Sequence, residues 1–202
     1  MTQYYYLVAS LPLLRFDDPP PFSSRSWLEL CREHAAPDDH ALLARISFDA
    51  LVPQRGDPDT WQAYAAWETA LRDELAVQRA QRLGLSPDLF LRDAPFYAGL
   101  PTLVKEALAA GTPLTVESAL DRRRWAYIDE LEVGSQFDLG RLVAYRLKLL
   151  LLERRARFRP ETGRASFAKE YLLILDSAAP SSGANGRLDG RRPFPAADGE
   201  TQ

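Results

Sequence analysis

The side chains best placed to act together in chemistry lie on one predicted helix. In the segment Leu114 to Leu131, LTVESALDRRRWAYIDEL, Glu117 and Asp121 are four residues apart and Arg124 follows three residues later. Side chains at these spacings are neighbours on a helix surface. Two such carboxylates could form an acid and base pair in an active site. The same charges could instead form a partner-binding surface, an internal ion pair or a solvated helix edge, so the pattern leaves four interpretations open.

Other residue types that commonly act in catalysis are few. Cys31, His34 and His40 lie near Asp38 and Asp39, but their spacing fits no standard zinc pattern. The single cysteine is predicted to be a small buried side chain on a helix. The chain contains neither GxxxxGK[ST] nor GxGxxG, the loops that hold phosphate groups. We therefore expect no metal and no cofactor, and we predict that the protein is not an enzyme.

The composition is that of a soluble globular protein. Of 202 residues, 46% are hydrophobic and 26% are charged, and the net charge is −3. No stretch approaches the roughly 18 to 20 apolar residues that a bilayer span requires. We expect the chain to stay in the cytoplasm, or to reach a membrane only through a partner.

Apolar residues recur at helical spacing over most of the chain, which predicts an all-α bundle of about seven or eight helices. The opening YYYLVASLP could be a short strand or a first helical turn. The longest predicted helix begins with Asp57 as N-cap and ends at Gly84. Its core-facing stripe consists of Trp61, Tyr64, Trp67, Leu71 and Leu75.

Helix boundaries in the second half are predicted from single residues. Thr115 is the predicted N-cap of the Glu117 helix, and Asp138 is that of the next. The helix that Asp138 caps contains four consecutive leucines, Leu149 to Leu152. Their side chains point in all directions around the helix, which predicts that this helix is buried on several sides. We expect one helical domain over residues 1–176 and a disordered tail over 177–202, which is rich in Gly, Pro, Ser and Asp.

Positive charge is concentrated between Arg141 and Arg159. That window carries +6, so the rest of the chain carries −9. Arginines at a helix C-terminus favourably meet the helix dipole, but this does not account for Arg141 and Arg146, which lie earlier in the helix. The acidic remainder argues against nucleic-acid binding.

A weak internal similarity suggests two pseudo-repeated helical units. The segment Trp67-Glu68-Thr69-Ala70-Leu71 resembles Val116-Glu117-Ser118-Ala119-Leu120.

Several of these motifs resemble those of the collar protein of V/A-type rotary ATPases, known as the C subunit and, in the eukaryotic enzyme, as the d subunit. The first motif reads Glu117, Leu120-Asp121, with the aromatic residues Trp125 and Tyr127. The second reads Phe137-Asp138-Leu139 with Arg146, and the aromatic start is Tyr4-Tyr5-Tyr6. Over about residues 3–175 the chain is more similar still to a bacterial family without a settled activity that is encoded beside V/A-type ATPase subunits.

The resemblance implies a non-catalytic collar between the membrane rotor ring and the central stalk. Its partners would be ATPase subunits of those two parts. The ATPase collar protein itself is longer and has three pseudo-repeated helical units, whereas this chain has room for two. The residues expected to bind a partner rather than to serve folding are Glu117, Asp121, Arg124, Arg141 and Arg146. The alternatives are a free-standing helical adaptor with an unrelated partner and a small enzyme that uses buried carboxylates.

Overall fold

A computed structural model of the chain describes residues 3–92, 94–158, 167 and 169–173. Within these residues every regular element is a helix, which confirms the predicted all-α class. The elements are α1 (Tyr5–Ser10), α2 (Ser24–His34), α3 (Pro37–Arg45), α4 (Asp59–Leu83), a 3₁₀ helix (Asp88–Phe90), α5 (Leu100–Leu108), α6 (Pro113–Glu132) and α7 (Leu139–Arg157). The opening segment is thus a helix and not a strand. None of the helices described is both long enough and apolar enough to cross a bilayer.

Side chains that satisfy free backbone amides define several helix starts. The Asp138 side chain accepts a hydrogen bond from the Arg141 amide at 3.1 Å, as predicted for the cap of α7. On α6 the predicted cap is wrong by three residues. Thr112 is the cap, and Thr115 takes the third helical position in a reciprocal capping box. Both threonines have hydroxyls that accept backbone hydrogen bonds, so the local sequence favoured either residue.

The start of α4 also differs from the prediction by one residue. Pro58 is the N-cap, and the Asp57 side chain bonds outside the helix instead. Asp57 accepts a hydrogen bond from the Gln54 amide at 2.7 Å and forms an ion pair with Arg45 of α3. At the other end of α4, Gly84 adopts a left-handed conformation with φ of 67°, as predicted for a helix-ending glycine.

Helix α7 is the central element of the fold. It packs against α2, α3, α4 and α6, and the eight consecutive residues 142–149 are all buried. Of the four consecutive leucines, Leu149, Leu151 and Leu152 are buried and Leu150 is half-buried. This confirms that the leucine run is enclosed on several sides.

The buried apolar side chains form two clusters. The first joins α1, α2, α3, α7 and the later part of α6 to the first part of α4, and includes Trp27, Leu43, Trp61 and Leu147. The second joins the following part of α4 to α5 and the first part of α6, and includes Leu71, Val104 and Leu120. The predicted stripe on α4 is buried throughout, and it contributes to both clusters.

Residues 1–162 form one compact unit, and residues 163–202 are grouped in a second. In the second unit, Phe167 and residues 169–173 are helical, and the rings of Phe167 and Tyr171 stack with centroids 6.0 Å apart. The predicted domain boundary at residue 176 and the predicted disordered tail over 177–202 lie outside the described residues.

Candidate functional site

Three helices meet at a group of linked ion pairs, which contains three of the five predicted site residues. We call it the α4–α6–α7 ion network. It consists of Glu68 and Arg72 on α4, Glu117, Asp121 and Arg124 on α6, and Arg154 on α7.

Arg124 lies at the centre of the network. Its Nε donates to Glu68 Oε2 at 2.9 Å, and its Nη2 donates to Glu68 Oε1 at 3.2 Å. A third nitrogen, Nη1, donates to Asp121 Oδ1 at 2.9 Å. The planar guanidinium therefore binds one carboxylate with two nitrogens and a second carboxylate with the third, a geometry that lysine could not provide.

Arg154 joins α7 to the same carboxylates of α6. Its Nη2 donates to Asp121 Oδ1 at 2.6 Å and to Glu117 Oε2 at 2.9 Å. Glu117 and Asp121 are the like-charged pair one helical turn apart. A shared arginine between them offsets the repulsion that this spacing creates.

Arg72 extends the network on α4. Its Nε donates to Glu68 Oε1 at 2.9 Å, and its Nη2 donates to the carbonyl oxygen of Phe48 at 2.7 Å. The six side chains thus comprise three arginines and three carboxylates with no net charge. This balance allows burial, because an unpaired buried charge would cost several kcal/mol.

Burial is deepest in the middle of the network. Glu68, Asp121 and Arg124 are 0%, 1% and 4% exposed, whereas the side chains of Glu117 and Arg154 are 38% and 26% exposed. A substrate or partner could therefore reach Glu117 and Arg154. It could reach Glu68, Asp121 and Arg124 only if the helices moved apart.

The buried position shifts the proton equilibria of two residues in the network. Burial raises the pKa of Asp121 above its usual range, although Arg154 and Arg124 oppose the shift. For Arg124, burial disfavours the charged form, but Glu68, Tyr64 and Asp121 together outweigh it and the pKa is raised. Arg124 therefore remains a permanent cation that holds two helices together.

Tyr64 lies close to the network on α4. It is fully buried, and within the described residues its hydroxyl has no hydrogen-bond partner. Burial and the nearby charge of Glu68 raise its pKa well above the usual value. The phenol therefore stays protonated, and it is no candidate for a general base at neutral pH.

The network forms a polar layer between the two apolar clusters. Along α4, Tyr64 belongs to the first cluster and Trp67 to the second; along α6, Leu120 belongs to the second and Trp125 to the first. Asp121 lies between the two α6 residues, and Glu68 directly follows Trp67 on α4. A polar layer of this kind can fix the register of the helices, since a slip would leave buried charges without partners.

The structure places the other two predicted site residues elsewhere. Arg141 forms an ion pair with Glu132, with Nη1 and Oε2 2.7 Å apart, and Glu132 also binds Lys148 at 2.8 Å. Arg146 is buried at 6% exposure, and its Nη1 donates to the carbonyl oxygen of Ser24 at 3.1 Å. Burial lowers the pKa of Arg146, and Glu153 opposes that shift. Both arginines are thus bound within the chain, Arg141 to α6 and Arg146 to α2.

Partner binding by the five residues stays a prediction, and the structure places three of them in the interior. Asp121, Arg124 and Arg146 are buried. Asp121 and Arg124 form an internal ion pair, which was one of the interpretations that the sequence left open. The physical reason is the close packing of α7 against α2 and α6, which encloses these side chains. Glu117 and Arg141 keep partly exposed side chains.

Sequence reasoning missed Glu68, Arg72 and Arg154 as members of the network. One signal was available. Glu68 and Glu117 are the equivalent glutamates of the two similar segments, and both bind arginines of the same network. Glu68 also follows Trp67 inside an apolar stripe, where an acidic residue needs a buried partner.

The arrangement is suited to holding helices together. Each network carboxylate is bound by at least one arginine, and the bound arginines connect α6 to α4 and to α7. Among the described residues, no group of three or more His, Cys, Asp or Glu side chains is placed to hold a metal ion. Cys31 is fully buried, as predicted for a thiol that packs in the core.

In comparisons with known proteins, no protein-family model matches the chain, and no curated protein or solved structure is significantly similar to it.

Proposed function

We propose that the chain is a non-catalytic helical subunit or accessory protein of a V/A-type rotary ATPase. In this role it resembles the central-stalk collar that couples the rotor ring to the shaft. It would act on the cytoplasmic side and reach the inner membrane through the ATPase complex. The proposal starts from the sequence resemblance, which is carried by the segments around Glu117, Asp121 and Asp138.

The α4–α6–α7 ion network is the observation that favours this role most. A collar that transmits torque must resist relative movement of its helices. Here the three longest of the described helices are joined by charge-assisted hydrogen bonds at one polar layer. At 1.5 Å per residue, α4 alone extends about 38 Å over its 25 residues.

Two of the predicted partner-binding residues have enough exposure to meet another subunit. The side chains of Glu117 and Arg141 are 38% and 33% exposed. On assembly, a partner could desolvate these charges and strengthen their interactions beyond what they contribute at a free surface.

Co-purification tests the proposal. An affinity-tagged chain expressed in its native host is expected to retain central-stalk and rotor-ring subunits after mild detergent extraction. The double charge reversal Glu117→Lys/Arg141→Glu should reduce the recovered ATPase subunits. Arg25→Glu is the matched control, because the Arg25 side chain is 90% exposed and lies on α2. Recovery of the tagged chain without ATPase subunits, while an ATPase purified from the same cells lacks it, would reject the proposal.

The free-standing adaptor is the second candidate, and exposed apolar side chains on α4 and after it favour it. Leu83 is 72% exposed and Phe90 is 56% exposed. An adaptor would recover an unrelated partner in the same experiment. Nucleotide or ester turnover that co-elutes with the purified chain would instead support a carboxylate enzyme.

A further inference from the structure

The second half of α4 lines a groove with exposed apolar side chains. We call it the α4 groove; it has a volume of about 410 Å³ and is lined by Arg72, Ala76, Arg79, Ala80 and Leu83 of α4 and by Leu85, Phe90 and Arg92 of the following segment. Leu83, Leu85 and Phe90 are 72%, 55% and 56% exposed. Several large apolar side chains exposed together mark interaction sites more often than ordinary surface.

Two arginines at the groove have no side-chain partner among the residues that the structure describes. Arg79 and Arg92 are exposed, and their side chains make no hydrogen bond or ion pair with the described residues. Arg72 differs, since Glu68 and the Phe48 carbonyl already hold it. The free guanidinium groups of Arg79 and Arg92 can therefore bind carboxylates of another molecule with paired hydrogen bonds.

Small and apolar side chains of α4 line the groove. Ala76, Ala80 and Leu83 are spaced four and three residues apart, so they form one stripe along α4. Two small side chains followed by a leucine let a second helix approach α4 closely. From Ala76 to Leu83 the stripe is about 10 Å long, which is the length of about two helical turns.

We propose that the α4 groove binds an acidic amphipathic helix of a protein partner. The apolar side chains of that helix would pack on Ala76, Ala80 and Leu83, and its glutamates or aspartates would bind Arg79 and Arg92. This surface shares only Arg72 with the ion network, and the inference holds whether or not the partner belongs to an ATPase. It adds the chemical character of the partner, which the proposed function leaves open.

Charge and shape favour a protein helix over an anionic membrane. Asp88 is exposed in the 3₁₀ helix that carries Phe90, and Asp73 and Glu74 line the neighbouring cavity on α4. A flat surface of lipid phosphates would meet these carboxylates together with the arginines. Asp73 also accepts a hydrogen bond from the Arg92 amide at 2.9 Å. A single helix presents fewer acidic groups than a lipid surface and can place them at the guanidinium groups of Arg79 and Arg92.

The test begins with a displayed library of helical peptides about 14 residues long. Apolar residues are fixed at spacings of three and four, and the flanking positions are randomised among Glu, Asp, Lys, Arg, Ala and Ser. After selection on the full chain, we expect enriched peptides to carry an excess of acidic residues beside the apolar stripe. Enrichment of basic peptides, or none above that on an unrelated protein, would overturn the proposal.

Variants then locate the binding site for the most enriched acidic peptide. Arg79→Glu/Arg92→Glu should weaken its binding by at least about 10-fold, and Leu83→Ser/Phe90→Ser should do the same. The matched controls are Arg25→Glu and Val133→Ser, whose residues are 90% and 84% exposed at other places. They should change affinity by less than about 2-fold. Equal loss in the controls, or none in the groove variants, would overturn the assignment.

Salt dependence and two competing ligands complete the test. Raising the salt from about 0.05 M to about 0.5 M should weaken binding to the wild type more than to Arg79→Glu/Arg92→Glu. Binding of the chain to vesicles of phosphatidylglycerol that depends on the same arginines, and that the acidic peptide cannot displace, would instead assign the surface to a membrane. Dimerisation in analytical ultracentrifugation that Leu83→Ser/Phe90→Ser abolishes would assign it to a second copy.

Discussion

Arg124 on α6 binds Glu68 on α4 through two nitrogens, at 2.9 and 3.2 Å, although the residues are 56 positions apart in the chain. Glu68 is fully buried and Arg124 nearly so. Such a pair is weak evidence for a large gain in stability, because desolvation offsets the attraction. Replacement of one of the two residues, however, leaves the other as a buried charge without its partner, which is strongly destabilising.

We therefore expect Arg124→Met to reduce the free energy of unfolding by about 3 to 5 kcal/mol, since it leaves buried carboxylates short of a cation. Glu68→Met should have a similar effect. The double variant Glu68→Met/Arg124→Met should recover a large part of the loss. Urea unfolding followed by circular dichroism measures all three, and additive losses would contradict the pairing.

The exposed pair Arg25–Glu29 provides the control for this cycle. Its side chains are 90% and 61% exposed. Arg25→Met should change the free energy of unfolding by less than about 1 kcal/mol.

Trp67 is predicted to contribute strongly to the second apolar cluster. It is 6% exposed, and its ring stacks on Tyr127 with centroids 4.4 Å apart. Trp67→Ala should cost about 3 to 5 kcal/mol in urea unfolding. Phe96→Ala, at a side chain that is 84% exposed, should cost no more than about 0.5 kcal/mol. A loss below about 1 kcal/mol for Trp67→Ala would show that the ring is not packed as described.

The two arginines in the first half of α7 should respond differently to charge reversal. Arg141→Glu should cost about 1 kcal/mol, because its side chain is 33% exposed beside Glu132. Arg146→Glu places a buried carboxylate near Glu153 and should cost about 3 to 5 kcal/mol. Thermal unfolding of the separate variants compares them. Equal, small losses would mean that Arg146 is free to serve a partner, as the sequence alone suggests.

Cys31 should make stability depend on pH in the alkaline range. Burial raises the pKa of its thiol to about 12, with Arg146 opposing the shift. The unfolded chain loses this proton at a lower pH than the folded chain does. The stabilising contribution is thus complete below the unfolded pKa and is lost as pH rises towards about 12, by about 1.4 kcal/mol per unit.

The variant Cys31→Ala removes this contribution. The difference in free energy of unfolding between wild type and Cys31→Ala should therefore shrink between pH about 9 and about 10.5, as measured in urea. A difference that stays constant over this range would show that the thiol titrates normally in the folded chain.

The helical fold was predictable because periodicity and end signals acted together. The stripe from Trp61 to Leu75 and the left-handed Gly84 define α4 without any tertiary information. The start of α6 was misplaced because Thr112 and Thr115 both hydrogen-bond backbone atoms, and local sequence does not decide which one lies outside the helix.

The ion network could be predicted only in part. Asp121 and Arg124 are three residues apart, so their pairing follows from helix geometry. Glu68 and Arg154 join them from residues 56 and 33 positions away, across contacts that no local pattern contains. The burial of Arg146 was also unpredictable, because it depends on how α2 packs against α7.

The central position of α7 also bears on how the protein is made. Its side chains contact the first part of the chain, as when Tyr145 donates to the carbonyl oxygen of Pro12 across 133 positions. At a synthesis rate of about 5 to 20 residues per second, α1 to α3 emerge roughly 6 to 20 s before α7 is complete. During that interval the face of Trp27 that stacks on Tyr145 of α7 stays uncovered, so we expect the nascent chain to expose apolar surface until α7 leaves the ribosome.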